Sequence, residues 1–162
     1  MFGVPVDDHT APGPEPAGLA AWLRGAWVVT RMINGGAGHF EGSARFAPDP
    51  AAPAVTIWEE HGRLRFAGHE GPAARTLRIE AAGGGGWMVR FADDRPFHSL
   101  DLSSGSAEVT HHCGEDVYRG RYEIEDAERF TVTWRVTGPH KDDVIASVYD
   151  RAAGARDERR GG

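Results

Sequence analysis

The chain has 162 residues and a mass of 17.5 kDa, with 40% hydrophobic and 26% charged side chains, which fits one globular domain with a single core. Its formal net charge of -6 leaves no basic surface to grip a phosphate backbone, so nucleic acid is excluded as a partner. No apolar run approaches the roughly 18 residues of a membrane helix, and the N-terminal MFGVPVDDHTAPGPEPAG has neither a basic start nor an apolar stretch. A soluble, cytoplasmic protein without a membrane partner is expected. Cys113 stands alone and forms no intramolecular disulfide, as suits a reducing compartment.

Residues 1–16, with four prolines and two glycines, read as a flexible arm, and 152–162 as a flexible tail, flanking a domain over 17–151. Ala17 to Leu23 is a short apolar stretch stopped at Gly25, consistent with one or two helical turns. Beyond it the hydrophobic period becomes two. Trp27 to Ile33 opens the series of strands. Phe40, Gly42, Ala44 and Phe46 then alternate with His39, Glu41, Ser43 and Arg45. VTIWEEHGRLRFAG is expected to fold as a hairpin turning at His61-Gly62, and ARTLRIEAAGGGGWMVRF as one turning at four glycines. Phe97 to Leu102, Ala107 to Cys113, Val117 to Ile124, Phe130 to Val136 and Val144 to Arg151 complete about ten strands with almost no helix.

A sandwich and a barrel each bury one face of every strand, and periodicity does not separate them. Gly25-Ala26-Trp27 before the first strand, with Arg151 ending the last, resembles the lipocalin or calycin signature. That resemblance implies an all-β, antiparallel up-and-down barrel of eight to ten strands with a short N-terminal helix, the late arginine lying across the tryptophan ring. The runs FADDRPFHSLD from Phe91, HHCGEDVYRG from His111, and Gly138-Pro139-His140-Lys141 are similar to an uncharacterised bacterial family of lipocalin-like domains, over roughly residues 20–151. The Arg-rich composition, with 17 arginines against the single Lys141, also looks bacterial. The resemblance implies a fold and no reaction, so function is argued from side chains.

Continuing each alternation from its apolar members sends polar groups inward: Arg31 beside Val29, Glu59 from Val55 and Ile57, and His98 from Leu100 and Leu102. His111 and Cys113 follow from Ala107 and Val109, while Tyr118 and Tyr122 share the inner face of the next strand. With Phe40 and Trp134 they line the expected ligand cavity, and Lys141 stands at its rim. So polar an interior favours a small-molecule binding protein whose ligand is partly apolar and offers an anionic or carbonyl group to Arg31. An internal Arg31–Glu59 ion pair is the structural alternative.

An enzyme using His98, His111 and Cys113 for acid-base or nucleophilic chemistry is the second reading, and a homodimeric structural module the third. Adjacent His111 and His112 point to opposite faces, and no C-x-x-C or H-x-x-x-H spacing occurs, so no metal site is expected. A haem would need only one axial histidine, on which the sequence is silent, and no cofactor or ligand can be named. Gly83 to Gly86 lacks the Lys-Ser or Lys-Thr step of a phosphate-binding loop and reads as a hairpin tip.

Overall fold

A computed structural model describes residues 18–153; the expected arm and nearly all of the expected tail lie outside the described residues. A short helix, α1 (Leu19–Leu23), precedes ten antiparallel strands: β1 (Gly25–Ile33), β2 (Gly38–Asp49), β3 (Ala52–Phe66), β4 (His69–Ala81) and β5 (Trp87–Phe91), then β6 (Pro96–Leu100), β7 (Ser106–Cys113), β8 (Asp116–Asp126), β9 (Arg129–Gly138) and β10 (Lys141–Arg151). Their order in the sheet is β6-β5-β4-β3-β2-β1-β10-β9-β8-β7. Every strand but β6 pairs with the next in sequence, and the first pairs with the last, Trp27 opposite Arg151. The result is the expected lipocalin-like barrel, nearly closed, because β6 and β7 meet without a backbone ladder. Pro96, which lacks an N–H, sits at the start of the short edge strand β6.

The inner face follows the sequence alternation through β1, β2, β8 and β9. In β3 it does not. Val55 and Thr56 are both buried, and the β2–β3 register shifts between Pro48 and Asp49, so beyond that irregularity Trp58 and Glu60 face inward and Glu59 outward. The alternation anchored on Val55 and Ile57 is therefore one residue out of phase in the body of the strand. The expected turn at His61-Gly62 is also absent. β3 runs straight through it and turns at Ala67-Gly68, both at positive φ. Gly62 serves close approach instead: it pairs with Gly42, and a Cβ on Gly42 would lie 2.2 Å from the His61 carbonyl oxygen. The glycines at 83–86 do form the tip between β4 and β5, as expected.

The helix closes one end of the barrel. Leu19 and Leu23 are buried there, and the Trp27 Nε1 donates to the Leu23 carbonyl at 2.8 Å. Arg151 lies over the Trp27 ring at 4.2 Å, its Nη2 donating to the Trp22 carbonyl at 2.8 Å and its Nε 3.1 Å from the Glu128 carboxylate. Phe46 and Phe130 complete the aromatic seal around Trp27. The opposite end carries the polar interior.

Candidate ligand site in the open end of the barrel

The site is organised by one carboxylate. Glu60, 1% exposed, accepts from Arg31 Nη2 at 2.8 Å, from Arg75 Nε at 2.9 Å and Nη2 at 3.2 Å, and from Trp58 Nε1 at 3.0 Å. The Tyr149 hydroxyl donates to it as well. Arg31 Nε donates to Ser147 Oγ at 2.7 Å, and Nη2 also reaches the Tyr149 hydroxyl at 3.0 Å. Each guanidinium rests on a ring, Arg31 on Phe40 at 5.0 Å and Arg75 on Trp58 at 5.2 Å.

Burial by itself would raise the Glu60 pKa. The Arg75 and Arg31 charges, with hydrogen bonds from Tyr149 and Arg31, outweigh it and hold the carboxyl at about 2, so Glu60 is an anion at neutral pH. Burial pushes the Tyr149 hydroxyl up, which keeps it a donor. One anion then faces two cations, and the cluster retains one positive charge. Among the described residues neither Arg31 nor Arg75 has a partner for its Nη1 group.

Two cavities adjoin this cluster. One, of about 200 Å³, is lined by Arg31, Arg75 and Glu60 together with Ile33, Phe40, Leu64, Ala73 and Ile145. The other, of about 170 Å³, shares Arg31, Arg75 and Ile145 with the first and adds Ser147, Phe97, Tyr118, Val132 and Trp134.

Of the residues singled out in the sequence, Arg31, Phe40, Tyr118 and Trp134 therefore line these spaces. Tyr122 and His98 lie beside them, fully internal. His98 is 5% exposed; its Nδ1 is 2.9 Å from the Ser99 carbonyl oxygen and its Nε2 3.0 Å from the Tyr122 hydroxyl. A carbonyl only accepts, which fixes the proton on Nδ1 and leaves Nε2 to accept from Tyr122. Burial, with smaller contributions from His111 and Arg75, lowers its pKa from 6.5 to about 4, so the ring is neutral at pH 7. Both nitrogens are committed to the protein. His111 Nδ1 is 3.0 Å from the Phe97 carbonyl oxygen, the ring packing edge-on against Phe91 and Phe97. The contact joins β7 to β6 where the ladder is missing.

Glu59 and Cys113 are corrections. Glu59 is exposed on the outer surface, for the register reason given above, and Glu60 takes the inner position. Cys113 is a free, exposed thiol at the last residue of β7, where the strand has run past the interior, and no hydrogen bond among the described residues joins it to His111 or His112. Lys141 is exposed at the rim, its Nζ 3.2 Å from Asp116 and 3.4 Å from the Tyr118 hydroxyl. No group of three or more His, Cys, Asp or Glu side chains placed to hold a metal occurs among the described residues. The sequence reading passed over Glu60, Arg75, Trp58, Ser147 and Tyr149. Alternation back from Ile79 and Leu77 places Arg75 inside, and alternation back from Arg151 places Tyr149 and Ser147 there.

Comparison with solved structures finds the same architecture. The S-type phycobiliprotein lyase CPES from Guillardia theta aligns with a TM-score of 0.63 at 8% identity, covering 86% of this chain and 93% of its own. A redesigned β-barrel, mFAP1 bound to DFHBI, aligns at 0.44 with 14% identity, covering 82% of this chain and 97% of its own. The possum milk whey lipocalin trichosurin with bound 4-ethylphenol aligns at 0.35 with 10% identity, covering 85% and 82%. The likeness to the lyase concerns the fold alone. A search of the curated proteins gives no match. Residues 23–151 match the model of a family of unknown function, DUF6314, and the chain belongs to that family.

Proposed function

We propose that the protein binds a small molecule with an anionic group on a partly apolar body, held in the open end of the barrel. A lipocalin-like barrel fits a small-molecule binding role. The observation that carries the finer reading is the excess positive charge of the Arg31–Glu60–Arg75 cluster, set against a cavity with Ile33, Leu64 and Ala73 on its walls. An internal ion pair built only for stability needs one cation for one anion. Here a second guanidinium is present, and each keeps a donor edge for a guest. A cytoplasmic setting belongs to the same proposal, supported by the free thiol.

Native mass spectrometry of protein purified from its own host tests the reading, with Arg31→Met beside it. Because Arg75 still pairs Glu60 in that variant, stability to urea should fall by only about 1 to 2 kcal/mol, while a co-purified molecule is lost. A wild-type barrel that carries nothing and shows no affinity for organic anions would overturn it.

A further inference from the structure

The two cavities that meet at Arg31 and Arg75 differ in their far walls. The first is walled mostly by aliphatic side chains, with Phe40 under Arg31, and the second mostly by rings, with Val132 and Ile145 beside them. In the second, Phe97 and Trp134 are stacked, with centroids 5.2 Å apart and planes at 11°. Phe91 continues the stack behind Phe97, at 4.6 Å and 18°. Trp134 lies flat against Gly120, where a Cβ would come within 2.8 Å of the indole, so this glycine lets the ring lie back against the barrel wall. The wall also includes Tyr118, whose hydroxyl meets Lys141 Nζ. At the other end of the same space stand Arg31, Arg75 and Ser147. Ser147 Oγ accepts from Arg31 and has a hydroxyl proton with no partner among the described residues.

We infer that the ligand is a planar aromatic carboxylate, its ring against Phe97, Trp134 and Tyr118 and its carboxylate on the Nη1 groups of Arg31 and Arg75; this rests on the anion-binding reading above. Volume agrees with the class, since a cavity of about 170 Å³ is close to the roughly 150 Å³ that accommodates a benzene ring. A ring gains edge-to-face or offset contact with ring walls that a saturated chain of equal area does not. A carboxylate matches the guanidinium fork, and an alcohol brings no charge to it.

Isothermal titration of the full chain with cinnamate, nonanoate and cinnamyl alcohol separates these elements. Cinnamate and nonanoate share carbon number and charge and differ in the ring; cinnamate and the alcohol share the ring and differ in charge. Cinnamate should bind about tenfold more tightly than either. The Tyr118→Ala change, at a partly exposed rim position, should weaken cinnamate about fivefold and nonanoate by less than about twofold. Nonanoate binding as tightly as cinnamate, or equal losses in the variant, would overturn the aromatic class and leave the anion site standing. An alcohol that matches cinnamate would overturn the anion site itself. Binding of none of the three overturns the inference, and the co-purification result then decides whether the binding reading falls with it.

Discussion

The two ends of the barrel each set arginine against aromatic rings, and they use it to opposite effect. At the helical end Arg151 is fully enclosed, lies on Trp27 and has backbone carbonyls and the Glu128 carboxylate around its guanidinium. At the open end Arg31 and Arg75 share one carboxylate and each retains an unused Nη1 group beside empty space. The difference lies in the surroundings. A guanidinium enclosed among rings, carbonyls and a carboxylate is a structural tie, and one with a donor edge left over next to a cavity is poised to receive something.

The sealed end should be the more costly to damage. Trp27→Ala removes a fully buried ring and the platform under Arg151, and should cost about 4 kcal/mol in urea unfolding; a loss below about 1 kcal/mol would show that the helical end is not the anchor of the fold. Glu60→Gln should come next at the open end, costing about 3 kcal/mol because two guanidinium groups lose their shared anion. That loss should be partly recovered in the Glu60→Gln, Arg31→Met double variant, and a double variant as unstable as the single would contradict the shared-anion picture. Glu59→Gln, one residue away on the outer surface, should stay within about 0.5 kcal/mol of wild type. An effect comparable to Glu60→Gln would restore the opposite strand phase.

Between Glu60→Gln and Glu59→Gln in size lies a pH effect. The folded His98 holds its pKa near 4 against 6.5 in the unfolded chain, so stability is full above pH 6.5 and falls as the pH drops toward 4. Its share of that fall between pH 7 and pH 5 should be about 2 kcal/mol and should vanish in His98→Gln. Glu60 adds a second loss at lower pH, present above its ordinary 4.5 and lost as the pH falls through about 2. Chemical denaturation across the pH series reads both, and a slope unchanged in His98→Gln would place the titration elsewhere.

Much of the barrel was legible in the sequence because half-buried antiparallel strands write their faces as an alternation. β1, β2, β8 and β9 keep that alternation across the residues that face the interior, and it places Arg31, Phe40, Tyr122 and Trp134 on the inner face. β3 broke it with two successive buried residues and a register shift, neither of which has a sequence signal independent of the partner strand, and the error moved the site's acid from Glu60 to Glu59. Cys113 failed for another reason: alternation tells which way a side chain points, not whether the strand has already left the enclosed part of the barrel. The Gly42–Gly62 pair shows a third limit. A glycine at a turn and a glycine in close approach to its paired strand look alike in one sequence, and only the partner distinguishes them.

The unpaired seam between β6 and β7 bears on how the chain can fold. These two strands are consecutive, joined by residues 101–105, while the ladder that joins the two halves of the sheet pairs the first strand with the last. Every other ladder joins strands consecutive in sequence, so the one pairing of long sequence separation governs topological complexity. Joining residue 153 to residue 18 through a linker and opening the chain at 101–105 would keep α1 and every backbone ladder and make that remote pairing local. Such a circular permutant should fold faster than the parent with the same barrel, the seam serving as a natural place to cut a ring that was never hydrogen-bonded shut.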